Sequence, residues 1–118
     1  MQGESDANHS LVTAEAYKEN LSHFVSSLRI ALKSENLPVV IGKITDSGMA
    51  EDGSVMDHAD KVQQAQAAFT DIDQCAELVD VTDSLNHQDD AWHYDTDGFI
   101  QLGEAFAQAI LRLENTCS

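Results

Sequence analysis

Asp90 and His93 stand three residues apart in a polar stretch, Asn86-His87-Gln88-Asp89-Asp90-Ala91-Trp92-His93-Tyr94-Asp95-Thr96-Asp97-Gly98. In a turn, that spacing lets a carboxylate accept the Nδ1–H of an imidazole. The ring is then fixed in one tautomer with Nε2 free as a general base. Such a base serves a hydroxyl nucleophile, which is weak until its proton is accepted. On spacing alone the pattern is common, so the surrounding sequence has to support it. Trp92 beside the proposed base suits either a sugar-binding face or a packing role, and Tyr94 likewise.

The same region carries two competing patterns. Residues 93–104 follow the spacing of a calcium-binding loop at each key position except the first, where His93 stands in place of an aspartate. The segment before it, 83–92, has no pattern for the entering helix that such a module requires. His87, Asp90 and His93 could also ligate a transition metal, but no second ligand-bearing segment accompanies them, so no metal is expected. His9, His23 and His58 read as surface or helix-face histidines.

Stepping outward, the elements that must hold this stretch are legible from periodicity. Ala14, Tyr17, Leu21, Phe24, Val25, Leu28, Ala31 and Leu32 mark one buried face of a helix over 13–34. Thr13 is positioned to cap it, and Asn36 and Pro38 stop it. Leu37 to Ile44 is a β-branched run suited to a strand covered on both faces. Residues 45–54 read as a loop, and His58 to Asp71 as a helix with Val62, Ala65, Phe69 and Ile72 inward. Ala76 to Thr82 reads as a second strand. A last helix follows the polar stretch, with Phe99, Leu102, Phe106, Ala109, Ile110 and Leu113 inward, Asp97 as its cap and Gly98 at the turn. The order helix-strand-helix-strand-helix predicts an α/β fold with a parallel sheet. Two strands are few for an independent sheet, so the chain reads as part of a doubly wound fold. In such sheets functional groups gather on loops leaving the carboxyl ends of strands, where the polar stretch belongs.

Composition narrows the partners. Among 118 residues, 21 acidic side chains oppose six basic ones, a formal net charge of -15. Such a surface repels phosphate backbones and anionic lipid, so neither nucleic acid nor a membrane surface is expected as a partner. The acidic residues are dispersed, as on a solvated surface. Cys75 and Cys117 fit no metal or redox spacing, and Cys117 is one residue from the end, so two free thiols are the default expectation and a disulfide between them is the open alternative. Residues 1–10 are polar and acidic, without a signal-peptide pattern.

The run from Asp90 to Gly103 resembles the closing segment of the sialate O-acetylesterase-like carbohydrate esterases, members of the SGNH hydrolase superfamily whose last motif is D-x-x-H. Gln2-Gly3-Glu4-Ser5-Asp6-Ala7 is similar to the same group's QGE-S/N-D motif. Tyr17 to Leu32 with Leu37-Pro38-Val39-Val40-Ile41-Gly42 resembles the intervening helix and strand, and Val62-Gln63-Gln64-Ala65-Gln66 fits as well. The resemblance implies a flavodoxin-like doubly wound sheet of which residues 1–118 form the carboxyl-terminal portion. It implies hydrolysis of O-acetyl esters on sialic acid or polysaccharide, with His93 as base, Asp90 as its orienting acid, and no cofactor. Gln2, Gly3, Glu4 and Ser5 would form the oxyanion and active-site loop, Gln2 being the more credible donor because serine stands where the wider superfamily has asparagine. Trp92 would line the substrate pocket. The family's nucleophile belongs to a G-Q-S-N motif upstream of QGE, which this sequence lacks. The chain alone is therefore expected to be inactive, and to associate into a dimer or larger oligomer that covers its unpaired sheet edge.

Overall fold

A computed structural model describes residues 2–117. The elements are α1 (Glu4–His9), α2 (Leu11–Ala31), β1 (Val39–Gly42), α3 (Ala59–Ile72), β2 (Ala76–Val79), a 3-10 turn (Val81–Ser84) and α4 (Thr96–Thr116). β1 and β2 pair in parallel, with Val39 opposite Ala76 and Gly42 opposite Val79. The helix-strand-helix-strand-helix order is thus present, with α1 added in front.

Three layers follow from the alternation of side chains along each strand. Ile41 joins the buried cluster of Tyr17, Leu21, Val25, Val62 and Phe69, with Val39, Ala76 and Leu78 packed against it, so α2 and α3 cover one face. On the other face a Cβ at Gly42 would lie 2.9 Å from the Phe106 ring of α4, and Glu77 pairs with Arg112 of the same helix. The backbone alternates too. Val39 donates to Cys75, just before β2, and Lys43 to Val79 of β2, at 2.8 and 2.9 Å, which turns the peptide groups of Val40 and Gly42 toward the opposite edge.

Several elements depart from their expected bounds for an identifiable reason. The first long helix starts two residues early because Ser10, not Thr13, is the cap: its Oγ accepts the Thr13 N–H at 3.2 Å. Thr13 instead donates its hydroxyl to the Asp6 carbonyl at 2.8 Å, tying α2 to α1. The helix ends at Ala31, before Asn36 and Pro38 act, because Lys33 turns left-handed at φ 52 and Ser34 N–H closes on the Arg29 carbonyl. Both strands are shorter than expected. β1 stops at Gly42 because two side chains of α3 claim the next peptide: Gln66 Oε1 accepts Ile44 N–H at 3.0 Å, and Gln63 donates to the Ile44 carbonyl at 2.9 Å. β2 stops at Val79 because the chain winds into the 3-10 turn. The cap of α4 is Asp95, which accepts Gly98 N–H at 2.7 Å, whereas Asp97 lies inside the first turn.

The expectation of free thiols is wrong. Cys75 and Cys117 form a disulfide, with Cα atoms 5.5 Å apart. Long α4 runs back along the sheet and delivers its last residue to the start of β2, a proximity that a spacing of 42 residues does not announce. Nearby, Arg29 of α2 forms a two-pronged pair with Asp73 at 2.7 and 3.1 Å, which draws the Asp73 carboxyl below its ordinary range. No helix among the described residues is long and apolar enough to cross a membrane.

Candidate functional site

Beyond the 3-10 turn, the polar stretch folds into a short hairpin. His87 and Tyr94 form an antiparallel bridge, Gln88 N–H donates to the His93 carbonyl at 2.7 Å, and Asp95 N–H donates to the Asn86 carbonyl at 2.9 Å. Ala91, at the tip, holds φ 68, a left-handed conformation uncommon for a residue with a Cβ. That turn brings Asp90 back under His93.

The two side chains meet at 2.5 Å between Asp90 Oδ2 and His93 Nδ1. Asp90 Oδ1 accepts the backbone N–H groups of Trp92 and His93, each at 2.9 Å, so the carboxylate is anchored before it touches the ring. Both side chains remain well exposed, 44% for Asp90 and 67% for His93, and Nε2 makes no hydrogen bond among the described residues. Nδ1 is thus occupied by a carboxylate and Nε2 is presented to solvent, the arrangement of an oriented general base.

The backbone N–H of His93, then the imidazole, then the N–H of Trp92 lower the Asp90 pKa from its ordinary 3.8 to about 2. A depressed carboxyl pKa means that the turn is stabilised above the unfolded value and loses that contribution as pH falls through the folded one. A carbon-detected NMR titration of Asp90 should accordingly give a midpoint near 2. The Trp92 and His93 amide shifts should hold until that point and then move. A midpoint near 4 would mean that the anchoring bonds are not made in solution.

The hairpin is itself pinned to the segment that follows β1. Tyr94 Oη and Thr45 Oγ1 lie 2.9 Å apart, and Thr45 donates to the Thr82 carbonyl at 3.2 Å. The Tyr94 ring packs tilted against His87, with centroids 4.8 Å apart, and meets Phe99 edge-on at 5.8 Å. Burial, only partly offset by the Thr45 hydroxyl, raises its phenol pKa. Tyr94 is therefore a strut that fixes His93 at the carboxyl rim of the sheet. His87 packs in this stack, and no His, Cys, Asp and Glu cluster suited to a metal occurs among the described residues. Of the calcium-loop spacing, residues 96–104 lie within α4, where side chains splay around a helix and do not wrap a cation.

The other candidate residues converge on the same rim. Gln2 and Gly3 precede α1, while Glu4 and Ser5, read from the sequence as loop residues, form its first turn. Gly3 has φ 120, and a Cβ there would come within 2.9 Å of both Tyr17 and Val62, so the chain can cross at this point only as glycine. Beneath it sits a buried polar node around Gln66, a residue that enters the sequence analysis only within the segment Val62 to Gln66 that resembles the family. Gln66, fully buried, donates to the Gly42 carbonyl at 3.1 Å and approaches Tyr17 Oη at 3.3 Å and the Gln2 carbonyl at 3.4 Å. Tyr17 donates to the same Gln2 carbonyl at 3.1 Å. Without the Gln66 carboxamide, Ile44 N–H would lose its partner, at a cost of about 1–3 kcal/mol for each buried group stranded. One signal was available: a glutamine at i+4 from Val62, on the apolar face that continues to Phe69.

Two depressions meet at Trp92 and His93. One is an apolar groove of about 370 Å³ along the open edge of β1, walled by Leu21, Phe24 and Val25 on one side and Phe99, Leu102 and Phe106 on the other. Phe24 and Phe99, both expected to face inward, are 48% and 49% exposed there, because no described element covers that edge. The second, about 380 Å³, is polar and is lined by Gln2, Gly3, Glu4, Ser5, Asp6, Trp92 and His93. No serine hydroxyl hydrogen-bonds to His93 among the described residues.

A sequence model of the carbohydrate esterase family of sialic acid-specific acetylesterases matches residues 1–112. No curated protein matches. The crystal structure of the Arabidopsis thaliana protein AT4G34215 is similar, with 31% identity and a TM-score of 0.78 over 94% of this chain. The match covers 42% of that protein, so this chain spans about two-fifths of its length.

Proposed function

The chain belongs to the sialic acid-specific acetylesterase family of carbohydrate esterases, and from that premise we propose that it supplies the acid–base half of a serine esterase acting on O-acetylated sugars. The observation that carries this reading is the Asp90–His93 bond at the carboxyl rim of a parallel sheet, with Nε2 left free.

In this mechanism His93 Nε2 accepts the proton of a serine hydroxyl that lies outside residues 1–118. The serine oxygen attacks the acetyl carbonyl, and the tetrahedral intermediate collapses with rupture of the bond to the sugar oxygen. The imidazolium returns its proton to the departing alkoxide, releasing the sugar alcohol. Water, deprotonated by the same imidazole, then cleaves the acetyl-serine to give acetate and the free hydroxyl. Asp90 stays ionised throughout and stabilises the imidazolium without taking its proton. Gln2 is the donor proposed for the oxyanion, supported by its place beside His93 on the rim. Trp92 offers a ring face to the sugar. This chemistry needs no cofactor.

The apolar groove supports the other half of the proposal. A strand lying along the open edge of β1 would find the Val40 peptide groups and the Gly42 N–H facing it, with apolar side chains above and below, while the Gly42 carbonyl is already held by Gln66. A polypeptide supplying both that strand and the serine would extend the SGNH-type sheet and complete the triad. Left alone, the chain is expected to cover the same surface by self-association and to show no turnover. The test is complementation: this chain is mixed with, or fused to, the serine-bearing amino-terminal portion of a family member and assayed on p-nitrophenyl acetate. Turnover above that of either piece is expected. No gain, with both pieces folded, would contradict the reading.

A further inference from the structure

We propose that Gln66 is a positioning residue for the site: one buried carboxamide sets the Gln2–Gly3 crossing and the Asp90–His93 hairpin relative to each other at the rim of the sheet. What those two parts do rests on the esterase reading above; how they are held does not. Gln66 lies on the inner face of α3 with Val62 and Phe69 and is fully buried. An aliphatic side chain would fill that place at lower cost, because a buried carboxamide gives up its water and must pair its polar atoms. The partners it has found belong to the two segments that build the rim.

Its Oε1 accepts Ile44 N–H at 3.0 Å while Gln63 donates to the Ile44 carbonyl at 2.9 Å, so α3 grips this residue by both backbone polar groups. That grip fixes where Thr45 stands. Thr45 in turn holds Tyr94 at 2.9 Å and the Thr82 carbonyl at 3.2 Å, and Tyr94 directly follows His93 in the hairpin. The other end of the carboxamide serves the other segment. Nε2 donates to the Gly42 carbonyl at 3.1 Å and is turned toward the Gln2 carbonyl, which also accepts the Tyr17 hydroxyl. Gln2 and Gly3 line the polar depression together with Trp92 and His93. The two ends of the group are not interchangeable, since only the oxygen accepts and only the nitrogen donates. Disturbing Gln66 therefore moves both walls of that depression together, which a residue that merely fills space would not do.

Two variants test this by NMR on the isotope-labelled chain. Gln66→Met removes both polar ends, and Gln66→Glu keeps the shape but makes the donor depend on a proton. A neutral carboxyl still accepts from Ile44 N–H and donates to the Gly42 carbonyl; a carboxylate has no hydrogen for Gly42 or Gln2. Burial raises the pKa of that glutamic acid above its ordinary value of about 4.3, so the native arrangement holds at low pH and is lost as pH rises through the folded value. Tyr17, its phenol pushed up by burial, stays neutral, and Glu4 and Asp6, which act on Tyr17, titrate equally in the unaltered chain used as reference. In Gln66→Glu the Gly3, Thr45 and Tyr94 amide signals should match the reference at low pH and depart together with one midpoint. In Gln66→Met they should be displaced throughout, with Ile44 N–H exchanging at least about tenfold faster. Phe69→Leu, whose side chain has no polar bond to lose, should lower the denaturation midpoint and leave those signals in place. In the complemented enzyme Gln66→Met should cost about tenfold to a hundredfold in kcat, with KM changed less. Signals that stay put in both variants, or that move independently at the two segments, overturn the proposal, and so does an unchanged kcat. If both variants fail to fold, the unaltered chain decides: its Gln66 carboxamide protons should exchange at least about a hundredfold more slowly than those of exposed Gln64, and equal exchange rejects the assignment. Absence of turnover on complementation of the unaltered chain would sink the esterase reading alone, since the spectra require no activity.

Discussion

Replacing His93 by alanine should lower kcat on an acetyl ester by about 10⁴-fold in the complemented enzyme, with KM changed little. The loss falls on kcat because the imidazole acts where the proton moves. Neither cavity wall depends on it for shape, since the hairpin is held by the Gln88, Asn86 and Tyr94 bonds and not by the ring. Asp90→Asn should produce a loss of similar order for a different reason. An asparagine carboxamide can present its NH₂ group to Nδ1, which then becomes the acceptor, moves the proton to Nε2 and disables the base. The two substitutions together should cost little more than either alone, because they remove one unit. Steady-state kinetics on p-nitrophenyl acetate decide the matter. A His93→Ala loss of less than about tenfold would remove the imidazole from the mechanism.

Reduction of the Cys75–Cys117 disulfide should lower the folding free energy by about 4 kcal/mol. The crosslink closes a loop with a sequence separation of 42 that contains β2, the dyad hairpin and α4, so opening it restores much chain entropy to the unfolded state. A domain of this size is stable by roughly 5–15 kcal/mol, so the loss is a large fraction of what holds it folded. It is concentrated in α4, which otherwise meets the sheet through few buried residues, chiefly Ala109 and Leu113, and through the exposed Arg112–Glu77 pair. Urea denaturation with and without a thiol reductant, or of a Cys75→Ser/Cys117→Ser variant, checks this. Superimposable curves would show that the crosslink does not form or does not matter.

The parts legible in the sequence are those governed by local periodicity or by short spacing. The face of α2 through Ala14, Tyr17, Leu21 and Val25 is buried as the 3.6-residue rhythm requires. Asp90 and His93 meet because three residues and a turn suffice to bring them together. What escaped was set by contacts distant along the chain. The disulfide depends on where α4 ends relative to β2, and the Gln66 node depends on four segments meeting under Gly3. The caps were misplaced by two or three residues because Ser10, Thr13, Asp95 and Asp97 are all chemically competent. Only the backbone path decides between them. Phe24, Leu28 and Phe99 follow the buried rhythm yet are open to solvent, since a helix pattern records which face seeks a partner and not whether one is present.

The most direct measurement of the central claim is the tautomer of His93, read from long-range ¹H–¹⁵N correlations of its ring at neutral pH. With Asp90 accepting from Nδ1–H, the account predicts a protonated Nδ1 and a bare Nε2, and a switch of tautomer in Asp90→Asn. A proton on Nε2 in the unaltered chain, or a spectrum indifferent to the substitution, would contradict it.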